Sequence, residues 1–123
     1  MNERLVAYNL NIGDPDEAAA VSSSGAAFFM LPFGATLVYA SVSPMEDDPG
    51  ASVDIQDDAV DIVTAIDATD HDVPGEWIST HAGGAETPVR IAAGSEMSID
   101  INGAAVANRF DITLLFLTGE TWG

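Results

Sequence analysis

Cysteine and lysine are both missing from this 123-residue chain. Without cysteine there is no disulfide staple, no thiolate metal site and no cysteine nucleophile. Without lysine, the side-chain cations are Arg4, Arg90 and Arg109, set against 20 acids, for a formal net charge of −17. Binding to phosphates needs cations that displace counterions, so nucleic acid is excluded as a partner. An anionic membrane surface is excluded for the same reason.

Long apolar runs are scarce as well. The densest, GAAFFMLPFGATLVYA, is interrupted by Pro32 and Gly34, too soon for a membrane span. The start, MNERLVAYNLNIGDPDE, has no basic region followed by an apolar stretch of about 7–15 residues, as a secretory signal would. The expectation is synthesis and assembly in the cytoplasm.

Helical periodicity is the last scarce feature. Only Asp14 to Ser24, DPDEAAAVSSS, has the Asp cap, early Pro and N-terminal acids of a short helix. Elsewhere the alternation has period two. Candidate strands run from Arg4 to Ile12, Ala26 to Leu31 and Gly34 to Ser43, each closed by Gly or Pro. In SVDIQ, Val53 and Ile55 share a face. An acidic Asp57-Asp58 link then leads to a partner strand that places Val60, Ile62, Thr64 and Ile66 together. PVRIAAG is a further short strand. Met97, Ile99 and Ile101 point inward on the next, as do Phe110, Ile112, Leu114 and Phe116 on the last. The prediction is a single all-β domain over residues 1–123: an antiparallel β-sandwich or jelly roll of about eight or nine strands with little helix. An apolar content of 47 % supports a folded core despite the charge.

Candidate sites are few. DATDHDVPGEWISTH, residues 67–81, holds both histidines, three aspartates and a glutamate around Pro74-Gly75. Asp67, Asp70, Asp72 and Glu76 form a weak calcium candidate, lacking the pattern of a dedicated calcium loop. His71 and His81 stand ten residues apart, without a metal-ligand spacing. The stretch reads as a long acidic loop entering a strand at Trp77. No nucleophile elbow or phosphate loop is present, so no catalytic residue is assigned and no cofactor beyond a possible calcium. On the last strand Leu115 and Leu117 make the second face apolar too, as expected for a strand covered by a second layer or by a neighbouring subunit. Trp122, near the end of the sequence, either folds back on the sandwich or is offered to a partner as an aromatic anchor. Leu115, Leu117 and Trp122 are therefore the interface candidates, with residues 1–12 and 118–123 as possible subunit-contact segments. The acid-rich, lysine-free composition also suits high salt, where screening relieves self-repulsion.

The block FFMLPFGATLVYASVSPMEDDPGASVDIQDDAVDIVTAID resembles one found in small head proteins of tailed viruses. The matching pieces are Gly34 to Ser43, Gly50-Ala-Ser-Val-Asp-Ile55 and Asp61 to Asp67, about the central third of the chain. The resemblance implies a capsid decoration (cement) protein: a β-sandwich or jelly roll, typically a homotrimer, bound to the major capsid protein on the virion surface. Two rival expectations stand beside it. One is a calcium-dependent carbohydrate- or surface-binding sandwich. The other is a cupin-like metalloenzyme, of which only fragments of the histidine motif are present.

Overall fold

The computed structural model describes residues 4–13, 23–104 and 109–118, with side chains from Phe28 onward in the middle segment. Its strands are β1 (Arg4–Gly13), β2 (Ser23–Met30), β3 (Ala35–Pro44), β4 (Ser52–Asp57), β5 (Val60–Asp67), β6 (Gly75–Ile78), β7 (Val89–Ile91), β8 (Glu96–Asn102) and β9 (Arg109–Thr118). A short 3-10 turn, Thr80–Ala82, lies between β6 and β7. Both sheets are antiparallel. The first runs β1-β9-β3, with β6 and β7 sharing the far side of β3, and the second runs β2-β8-β4-β5. The pairs are nested: β4 with β5, β3 with β6 and β7, β2 with β8, and β1 with β9. A long hairpin rolled up in this way has the strand order of a jelly roll, one form of the antiparallel sandwich expected from the sequence.

The inner faces meet in one core. Phe110, Ile112, Leu114 and Phe116 from β9 bury against Met97, Ile99 and Ile101 of β8 and Val53 and Ile55 of β4. Phe116 also receives the edge of Tyr8 at 5.7 Å between ring centroids, an arrangement that aromatic quadrupoles favour.

Simple alternation fails in two places, and in both a β-bulge shifts the faces. In β3, Leu37 pairs with Phe116 and Tyr39 with Leu115, leaving Val38 as an extra residue. Ala35 and Leu37 therefore point inward before it, and Ala40 and Val42 after it. The carbonyl of Val38 accepts the amide of Ser79 at 3.0 Å, where β6 gives way to the 3-10 turn. In β5 the expected inward set of Val60, Ile62, Thr64 and Ile66 is corrected: Val63 and Ile66 are buried and Ile62 packs partly against the core, while Thr64 is exposed. Val60 is instead 64 % exposed. Register shifts on either side of Ile55, together with a left-handed Ala65 at φ 58°, produce the change. The hairpin turn also moves by one residue. Asp58 and Ala59, at φ 49° and 66°, form it in place of Asp57-Asp58. Two positive φ values are what the twist of a two-residue hairpin demands.

The two sheets are joined tightly on one side, where β5 passes into β6. A side chain at Gly75 would collide with the backbone carbonyl of Asp67, so only glycine fits. The helix expected over Asp14–Ser24 falls mostly on residues 14–22, outside the described residues, while Ser23 and Ser24 belong to β2.

Candidate functional site

Five strands lay their outward side chains in rows across the first sheet, and the register gives each row. One row runs Leu5, Leu117, Thr36, Arg90 across β1, β9, β3 and β7. The next runs Ala7, Leu115, Tyr39, Ile78, with β6 in place of β7. The third is Asn9, Thr113, Ser41, Glu76, and the fourth begins Asn11, Asp111, Ser43. The second row and the β1–β9 end of the first are thus apolar, while Thr36, Arg90 and the other two rows are polar. Leu5 is 61 % exposed, and Leu115 and Leu117 are half-buried.

Leu115 and Leu117 were visible as an apolar second face of β9. The structure adds Leu5, Ala7, Tyr39 and Ile78, which come from three other strands. Their only sequence signal is the missing polar residue at outward positions, and it cannot be read until the bulge at Val38 is known. Trp122 lies outside the described residues.

The row boundary is held by a polar contact. The Tyr39 hydroxyl donates to Glu76 Oε2 at 2.6 Å. Burial, then the bond to Glu76, raises the Tyr39 pKa above its ordinary value, so the phenol stays a donor. Further along, Thr113 Oγ1 donates to Asn9 Oδ1 at 2.9 Å.

The acidic loop β5–β6 is built differently from a metal cradle. Asp67 Oδ1 accepts from the amide and hydroxyl of Thr69, at 3.0 and 2.7 Å. Asp70 Oδ1 accepts from the amide of Asp72 at 2.8 Å. These are side chains closing turns in their own backbone. With Glu76 on β6 and bonded to Tyr39, the calcium candidate of Asp67, Asp70, Asp72 and Glu76 is not gathered into a ligand set. Among the described residues no three acids or histidines are placed to share a metal ion, and no pocket is present.

His71 ties this loop to the β3–β4 connection. Its Nδ1 bonds the carbonyl of Pro44 at 3.0 Å, and its amide donates to Asp47 Oδ1 at 2.8 Å. The Pro44 carbonyl raises the His71 pKa, and Asp72, Asp47 and Asp70 add to the effect. His81 sits in the 3-10 turn beyond β6, whose four residues extend about 13 Å. The two histidines therefore stand at opposite ends of a strand. Residues 68–74 form an acidic loop leading into β6, as expected, and Trp77 packs on the core.

No known protein family, catalogued protein or solved structure matches the chain.

Proposed function

We propose that this protein is a structural component of a viral particle, decorating the outer surface of the capsid and stabilising it through contacts with the major capsid protein. One observation carries the reading. The outer face of the first sheet presents Leu5, Leu117, Ala7, Leu115, Tyr39 and Ile78 together, on a chain whose composition otherwise favours solvated acids. Apolar area of this kind gains free energy when water leaves it, at about 25 cal/mol per Å² buried. The head-protein resemblance over the central third points the same way.

The mechanism is mass action. A subunit that binds only the assembled lattice stabilises each site by RT ln(1 + [L]/Kd). The acids keep the free subunit soluble, and at the rim they steer it toward basic surface on the shell.

Cosedimentation with shells assembled from the major capsid protein of the same genome tests the reading. The wild-type chain should pellet with the shells and raise their melting temperature. A folded protein that stays in the supernatant at every concentration would sink the proposal.

A further inference from the structure

The two lateral sides of the sandwich differ in construction and in charge. On one side β5 continues into β6 through the 68–74 loop, with the backbones in contact at Asp67 and Gly75. Asp61, Asp67 and Glu76 lie on these strands. On the opposite side lie β1 and β2, the other edges of their sheets. Tyr8 of β1 meets Phe29 of β2 at 5.7 Å, so the two edges face each other.

That side is open. Val6, Tyr8 and Leu10 point toward the core from β1, as Phe29 does from β2, yet all four are only half-buried. Beside them Leu5, Phe28 and Met30 are each more than 60 % exposed. Among the described residues β1 pairs with β9 alone, over ten residues without an irregularity. Among the described residues no strand lies beside the donors and acceptors of its other backbone edge. Edge strands are commonly protected by Lys, Pro, a bulge or an inward charge. Beyond Arg4 at its start, β1 has none of these.

Charge selects the occupant. Neither β1 nor β2 contains an acid, although the chain has twenty. A second copy also carries −17, so repulsion is least where the facing strands of both copies hold no acid. We propose that the β1 edge is a self-association surface, on which β1 of a second copy pairs antiparallel about a two-fold axis and continues the first sheet across the dimer. The two-fold sends the acidic β5/β6 sides to opposite outer ends, where repulsion is weakest. It closes the open core at Tyr8, Leu10 and Phe29 with the same residues of the partner, and aromatic residues and methionine are the types that interfaces enrich. Isologous pairing gives dimers or even-numbered assemblies, in contrast to the trimer that the head-protein resemblance implies. The inference stands independently of the capsid reading, because it concerns the free protein.

The mass of the full-length chain in solution is the test, followed by sedimentation over a concentration series at about 0.1 M and about 1 M NaCl, where the screening length falls from ~10 to ~3 Å. The expected result is a dimer that tightens with salt, because the contact is apolar and only the net charge opposes it. Ala7→Glu, an exposed position on β1, should weaken the dimer by at least about tenfold, the equivalent of ~1.4 kcal/mol. Val60→Glu, the same type of change on the far edge, should leave it unaltered. Wild-type hydrogen exchange keeps the test valid if a variant folds poorly: β1 amides should gain protection as concentration rises. A monomer or a trimer at both salt levels would overturn the proposal, as would a dimer unaffected by Ala7→Glu or β1 amides whose protection ignores concentration.

Discussion

The carboxylate of Asp54 on β4 accepts a hydrogen bond from the amide of Ala65 on β5 at 2.7 Å. Ala65 is the left-handed residue of the β5 bulge, with φ 58°. A bulge takes one residue out of the ladder and leaves its amide without a strand partner. Left-handed backbone costs a residue with a Cβ about 1–2 kcal/mol. Asp54 satisfies the freed amide, and its other oxygen accepts from Asn102 Nδ2 at 3.1 Å. One side chain thus holds together the irregular β5, β4 and β8.

Asp54→Ala should destabilise the protein by about 1–2 kcal/mol, the loss expected for a charge-assisted hydrogen bond at a half-buried site. Asp54→Asn keeps an oxygen for the Ala65 amide and should lose less than half of that. Urea unfolding at constant m-value measures both. Equal losses would show that charge, and not the acceptor, matters.

Ala59 sits at φ 66° in the two-residue hairpin turn. Ala59→Gly creates Asp-Gly, a favoured pair for this turn. Relief of the left-handed strain exceeds the added freedom of the unfolded chain, so the variant should be more stable by about 0.5–1 kcal/mol. Thermal melting is the check, and a lower melting temperature would contradict the turn geometry.

His71 makes stability depend on pH. Its folded pKa is raised above the ordinary value of 6.5 by the Pro44 carbonyl and neighbouring aspartates. The contribution is therefore fully present below about pH 6.5 and is lost as pH rises through the raised folded value. Against His71→Gln, the wild type should show its largest advantage in melting temperature near pH 5.5 and a shrinking one toward pH 8. A constant difference would mean that His71 acts through shape alone.

The apolar part of the outer face should matter for binding and little for folding. Leu115→Asp and Leu117→Asp each place a charge in the patch without touching the core, so unfolding free energy should change by less than about 1 kcal/mol. Cosedimentation with shells should fall at least tenfold. Weakened folding with intact binding would assign these leucines to the fold alone.

Gly75 admits no side chain beside the Asp67 carbonyl. Gly75→Ala should force β5 and β6 apart and cost more than about 3 kcal/mol, with the protein largely insoluble on expression. Normal yield and melting would show that this junction yields easily.

Much of the architecture was available from residue order alone. The residues of β4 and β8, and of β9 as far as Leu114, alternate in type because one face of each lies in the core. Val53 and Ile55, Met97 to Ile101 and Phe110 to Phe116 were assigned correctly for that reason. The absence of cysteine likewise excludes thiolate chemistry, because that depends on residue type and not on placement.

Tertiary structure decided what depends on the partner strand. An extra residue at Val38 or Ala65 reverses inside and outside, and nothing local in a single strand measures that offset. The side chains of Asp67, Asp70 and Glu76 could have met around an ion. They are engaged instead by Thr69, Asp72 and Tyr39, whose amides and hydroxyls donate to them. Leu5, Leu117, Tyr39 and Ile78 become one surface only through cross-strand register. Composition and alternation thus determined that this chain rolls into an acidic two-sheet barrel of strands. The register of its pairs determined which apolar residues were left facing outward.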